Sequence, residues 1–243
     1  MRTINFAKRC FKEIIRDPLN IIFGLGFPIV LLLLLSAIQK NIPVELFEIE
    51  SLAPGIVVFG LSFFTLFSAT LIAKDRESSF LKRLYTMPMK SYNFILGYML
   101  PLIPLAIIQS SITYFVAMFL GLPFSLNVIF AILLNIPMAI FYIALGLLCG
   151  SVFNVKQVGG ICGALLTNLS AWLSGIWFDL NLVGGAFKKI AYLLPFVHAV
   201  EMERSVLAGD YSNILPHLLW VLGYSIVTLV LSVVLFLRQM KKQ

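Results

Sequence analysis

Charge, cysteine and histidine are all scarce in this 243-residue chain, and each scarcity removes a class of protein. Charged residues are 12% of the sequence, against about 25% in an ordinary soluble domain, while 60% of the positions are apolar. A soluble fold of this size would need a polar surface that these residues cannot supply. The mean hydropathy of +0.98 instead suits a chain for which lipid is the solvent. Three cysteines, Cys10, Cys149 and Cys162, are too few and too scattered for a disulfide framework, and their spacing matches no metal site. The two histidines form no His-Glu-x-x-His pattern; His198, Glu201 and Glu203, with His217 further on, leave only a weak alternative reading as a membrane metalloenzyme. No Gly-x-x-x-x-Gly-Lys-[Ser/Thr] loop is present, so the chain does not cradle nucleotide phosphates by that device. Nothing resembles a nucleic-acid module.

What the sequence does have is long apolar runs. About 20 helical residues bridge a hydrocarbon core. Six segments qualify: about 19–39, 53–73, 93–120, 126–153, 158–178 and 214–237. The first is too long for the apolar core of a cleaved signal peptide and reads as a span. The expectation is an all-α membrane protein: residues 1–18 as a cytoplasmic amphipathic helix, residues 19–243 as one six-helix transmembrane domain. With the N-terminus inside, 14 of the 18 basic residues fall on the cytoplasmic side, and seven of the eleven acids fall outside. The positive-inside rule then puts both termini in the cytoplasm, the membrane being the inner (plasma) membrane of the cell. The net charge of +7 reflects this asymmetry and attraction to anionic headgroups.

Between the runs, residues 3–17 predict an interfacial helix with Ile4, Ala7, Phe11 and Ile14 as its apolar stripe. Residues 75–88 predict a short cytoplasmic helix with Phe80, Leu81 and Leu84 on one face, stopped by Pro88. It can rest on lipid or dock in a groove of a soluble partner. The fifth run carries Gly159, Gly163, Thr167, Ala171 and Gly175, a small residue at every fourth position, with Asn168 beside them. Such a stripe admits close approach of another helix, either a dimer or translocation seam or packing within one subunit. Phe63, Phe67, Gln109 and Asn135 are candidates for lining a path. Ser62, Thr65 and Ser68 are expected to bond their own backbone. Within the predicted spans no interior position is ionisable, which speaks against ion-driven antiport. Residues 179–213 form the one sizeable external segment, in which Glu201 and Arg204 can pair at i, i+3.

Two stretches carry a resemblance. Arg76-Glu77-Ser78, then Phe80-Leu81-Lys82-Arg83-Leu84, then Thr86-Met87-Pro88-Met89, is similar to the cytoplasmic loop of the type-2 permeases of ATP-binding-cassette (ABC) exporters. Leu173-Ser174-Gly175-Ile176-Trp177-Phe178, Leu194-Pro195-Phe196, Glu201, Arg204 and Gly209 resemble that family's stretch from the fifth span to the sixth. Ser79 stands where a Gly is common, and Met87 separates Thr86 from Pro88. The resemblance implies a non-enzymatic permease subunit with no cofactor of its own. Its partners would be a separate ABC ATPase that holds ATP and magnesium, and a second copy of itself or a similar permease. Asp75, Arg76, Glu77, Phe80, Leu81, Arg83 and Leu84 would form the coupling helix against that ATPase. Residues 179–213 would include a short re-entrant helical segment at the outer face. The apolar path favours a drug, peptide or lipid-like cargo; a polysaccharide or glycolipid is the alternative, with an uncoupled scaffold behind it.

Overall fold

A computed structural model of the chain describes residues 2–43, 47–78 and 91–240. The predicted coupling helix lies mostly outside these, and Phe80, Leu81, Arg83 and Leu84 are not among them. The described residues are helical throughout their regular structure. An interfacial helix α1 (Arg2–Arg16) leads into α2 (Pro18–Gln39), α3 (Ile49–Glu77), α4 (Asn93–Phe119) and α5 (Leu126–Val152). Residues 155–173 form α6, and three short helices follow: α7 (Leu180–Val183), α8 (Gly185–Leu193) and α9 (Pro195–Ala208). The last helix is α10 (Ile214–Met240).

Among the described residues five helices are long and apolar enough to cross a membrane, rather than the six expected. They are α2, α3, α4, α5 and the segment Tyr211–Gln239 containing α10. The segment expected as the fifth span, 158–178, is α6, which is diluted by Lys156, Gln157 and Asn168 and relaxed to a π-helix over Gly159–Leu166. Its course is nonetheless end to end. At one end Glu77 Oε1, in the last turn of α3, accepts from Val155 N at 2.9 Å. At the other, Arg204 bonds both Gly175 O (3.4 Å) and Ser51 O (3.2 Å), and Ser51 is in the first turn of α3.

α3 is the central helix, with 89% of its apolar stretch buried against 28% for α2 and 22% for α10. Its closest neighbour is α5. A Cβ on Gly146 would stand 2.4 Å from Thr65 O, and one on Gly150 2.6 Å from Ala69 O, so two glycines one turn apart bring the backbones into contact. Thr65 Oγ1 donates to Tyr142 O (3.0 Å) and Ser68 Oγ to Ile143 O (3.1 Å), whereas Ser62 Oγ turns back to Phe59 O. The expectation that all three hydroxyls serve their own helix holds only for Ser62, because the glycines bring α5 carbonyls within reach of the other two. Ser225 Oγ, donating to Pro137 O at 2.7 Å, joins α10 to α5.

α1 also differs from its sequence reading. Its buried stripe is Phe6, Cys10 and Ile14, while Ile4 is exposed and Ala7 and Phe11 are half-buried. The reason is Gly97 of α4, whose missing side chain leaves room for the Phe6 ring (a Cβ there would stand 2.2 Å from it). Phe94 and Tyr98 meet that ring edge-on. Tyr98 also meets Phe236, so the end of α10 lies at the same end of the bundle as α1.

Gly146→Ala is expected to lower the melting temperature in detergent, by the equivalent of about 1–3 kcal/mol, because the methyl group meets a backbone carbonyl that cannot yield. Gly159→Ala, with nothing within 4 Å, serves as the control and should leave melting unchanged or raise it.

Candidate functional site: the basic end of the bundle

Asp75, Arg76 and Glu77 are the last turn of α3, not the start of a separate helix, because each finds a partner within the chain that carries α3 onward. Asp75 is buried and takes both arms of the Arg9 guanidinium, Nη1 to Oδ2 at 2.5 Å and Nη2 to Oδ1 at 2.6 Å. Tyr98 Oη donates to the same carboxylate at 2.9 Å. A two-pronged, charge-assisted contact of this kind is among the stronger side-chain interactions and fixes orientation as well as distance. One carboxylate therefore holds α1 and α4 against α3. Glu13, one turn along α1, adds an ion pair to Arg9 at 2.6 Å. Burial pushes the Glu13 carboxyl above its ordinary value, against the pull of Arg9.

Arg76 points the other way. It donates to the carbonyls of Ser151 and Phe153 (the latter at 2.6 Å), with Val152 O at 3.5 Å. These are unpaired carbonyls at the C-terminal end of α5, where a cation also meets the negative end of the helix dipole. Glu77 closes the set on Val155 N, at the N-terminal end of α6. Asn154 and Gln157 complete that turn with a reciprocal cap (2.8 and 3.1 Å). Three consecutive side chains thus tie α3 to α1, α4, α5 and α6.

The other candidates lie elsewhere. Gly163, Thr167 and Ala171 of the small-residue stripe turn toward the bundle, and the open space at Gly163 is filled by Leu66 of α3. Gly159 and Asn168 are exposed, and Gly175 sits in a turn with φ +73°. The π-helical stretch shifts the phase of the stripe, so its members do not share one face. Phe63 and Phe67 are buried on the side of α3 that faces α2, where Phe63 meets Phe23 and Phe27 of α2 beside Phe59 of its own helix. Gln109 and Asn135 are buried as well.

Arg9 and Tyr98 are functional candidates that sequence reasoning passed over, and Glu203, weighed there only as a metal ligand, is a candidate for a different reason. Glu203, assigned to the external segment, projects from α9 into the bundle. It is fully buried and accepts a hydrogen bond from Tyr114 Oη of α4. The Asn135 amide lies beside the same carboxyl, but neither its polar atoms nor Glu203 Oε1 completes a hydrogen bond. Burial holds the Glu203 carboxyl up at about 8, against the lowering effect of Tyr114 and Asn135, so at neutral pH the group keeps its proton. A signal was there: Ala199, Val200, Glu203 and Val206 recur at helical spacing on a buried face. Glu201 pairs with Arg204 at 2.8 Å, as expected. His198 donates from Nε2 to Tyr192 O (2.9 Å), so its Nδ1 accepts from His217 Nδ1 (2.8 Å). The four residues weighed as metal ligands therefore aim at three different places, and among the described residues no cluster of three potential ligands occurs.

Residues 47–234 match the model of the ABC-2 family transporter proteins. The chain belongs to that family. Cyanophora paradoxa has a relative named "Putative transport permease ycf38", 30% identical over 210 aligned residues, with 82% of this chain and 71% of that protein covered. The protein of the same name in Porphyra purpurea is 34% identical over 95 residues, covering 37% and 33% of the two chains. The chain is thus a multi-pass membrane protein and a transmembrane permease subunit of ABC-transporter type, from a family that generally works with a separate ATP-binding-cassette subunit.

Asp75→Asn is expected to loosen α1 from the bundle at a cost of about 1.5–3 kcal/mol, the range for hydrogen bonds to charged groups. Faster trypsin cleavage at Arg9 and Arg16 and a lower melting temperature would report it. For Glu203 the ordinary carboxyl value is 4.5 and the folded value about 8. Its contribution to stability is therefore full below about pH 4.5 and lost as pH rises through 8. Glu203→Gln should flatten that decline and melt no lower than wild type at pH 8.

Proposed function

We propose that this chain is the membrane half of an ATP-driven exporter, working by alternating access with a separate ABC ATPase that binds ATP and magnesium. The observation that carries the reading is the Asp75-Arg76-Glu77 network. It binds four helices to α3, at the point where α3 runs into the segment that by resemblance contacts the ATPase. A push on residues 79–88 would reach α1 and α4 through Asp75, α5 through Arg76 and α6 through Glu77. Helices joined this way tilt as a rigid group, which suits domain rocking better than local rearrangement. In this reading α6 is a sixth crossing, both termini are cytoplasmic, and the membrane is the plasma membrane.

A second copy would complete the path, since six helices around a filled core leave no channel of their own. The exposed face of α6 supports an apolar or amphipathic cargo: Leu165, Leu169 and Trp172 are open along it, with Asn168 among them.

The test is co-expression with a candidate ATPase, followed by purification and measurement of hydrolysis. Leu81→Asp with Leu84→Asp should cut stimulation of the ATPase at least about tenfold while leaving permease melting unchanged. Arg76→Ala should lower both, because its carbonyl partners lie within the chain. Full stimulation in the double variant would sink the coupling role.

A further inference from the structure

α1 has three faces rather than the two of a simple amphipathic helix. Phe6, Cys10 and Ile14 belong to the bundle. Ile4 and Ile15 are exposed and continue, through Ala7 and Phe11, the apolar strip beside it. Lys8, Lys12 and Arg16, one turn apart, form a ridge that starts next to that strip; all three are exposed. Nothing among the described residues hydrogen-bonds or ion-pairs with them, whereas Arg9 is engaged by Asp75 and Glu13. The ridge borders an open groove of about 780 Å³ between α1 and the end of α3. Lys74, 3.4 Å from Asp17, closes its far side. Among the described residues five cations (Lys8, Arg9, Lys12, Arg16 and Lys74) line this space with two carboxylates (Glu13 and Asp17), and Asp75 behind them offsets Arg9, which leaves a surplus of two positive charges.

Charge surplus alone would suit any anion. The apolar strip alongside restricts the choice, because free phosphate has no use for it and an acidic protein surface would leave it uncovered. A phospholipid uses both: its phosphate against the cations and its acyl chains along Ile4 and Ile15. The groove is also within the volume range of small-molecule sites, about 300–1,000 Å³. We propose that this groove is a binding site for the headgroup of an anionic phospholipid in the leaflet nearest α1. The site holds α1 flat on the membrane from its outer edge, while Asp75 holds it from within. It stands whichever ATPase drives the permease.

The full-length chain, reconstituted in vesicles of phosphatidylcholine with phosphatidylglycerol and extracted in mild detergent, would be assayed by native mass spectrometry for retained lipid. Wild type should retain phosphatidylglycerol over phosphatidylcholine. Lys8→Gln with Lys12→Gln and Arg16→Gln should lower that preference at least about tenfold, since each surface cation near a membrane adds a comparable increment. Lys8→Arg with Lys12→Arg should keep it, as should Lys188→Gln with Lys189→Gln on α8. Inorganic phosphate should not displace the lipid. Unchanged retention in the triple glutamine variant at unchanged melting temperature overturns the proposal. Displacement by inorganic phosphate overturns it too, as does a triple variant that loses only its ATPase while retaining lipid.

Discussion

Helices in lipid gain nothing from hiding apolar surface from one another, so what holds them together must be close contact and hydrogen bonds made across the contact. In this chain the α3–α5 crossing meets that requirement. Gly146 and Gly150 remove the side chains that would keep the backbones apart, and the approach brings Thr65 and Ser68 to carbonyls of α5. The remaining helices are arranged around this pair. α10 adds to α5 through Ser225, α2 adds to α3 through its phenylalanines, and α9 inserts Glu203 between α4 and α5. Because α3 is enclosed on nearly all sides, a displacement of either end is felt by most of the bundle.

The basic end converts that enclosure into a mechanical unit. A buried carboxylate, a guanidinium on carbonyls and a second carboxylate on a helix N-terminus follow one another in sequence, yet each faces a different neighbour. On a helix, consecutive residues point about 100° apart, so three in a row serve three directions. Each contact is polar and geometrically demanding, which favours a few defined arrangements over a continuum. The opposite end is tied by different means: Arg204 spans Glu201, Ser51 and Gly175, and the stacked His198 and Trp220 join α9 to α10.

Much of this was legible in the residues. Spans written as long apolar runs announced themselves, and the basic residues marked one end of the bundle. Glu201 and Arg204 were readable because both partners sit on one helix. Partners brought together by the fold were not. Asp75 offered no hint of Arg9, 66 positions away, or of Tyr98, since a charge in a polar segment looks the same whether it faces water or a guanidinium. Glu203 was hidden for a related reason: a glutamate between Met202 and Arg204 reads as the polar side of an outer helix until the burial of its face is known. The stripe on α6 was read at a spacing that assumes an unbroken α-helix, and eight π-helical residues take Gly159 and Gly175 off the face that Gly163, Thr167 and Ala171 turn to the bundle.

The short link between α5 and α6 bears on how the chain enters the membrane. Only Phe153 and Asn154 separate the two helices, and α6 carries Lys156, Gln157 and Asn168, each of which raises the cost of partitioning into lipid. A segment of that composition is a poor substrate for insertion by itself. Paired at once with the strongly apolar α5 as a helical hairpin, it has a partner that shields its backbone and a capped turn to hold it. In the six-crossing reading proposed above, α5 would enter first and escort α6, and the Arg76 and Glu77 contacts at their junction would hold the finished hairpin.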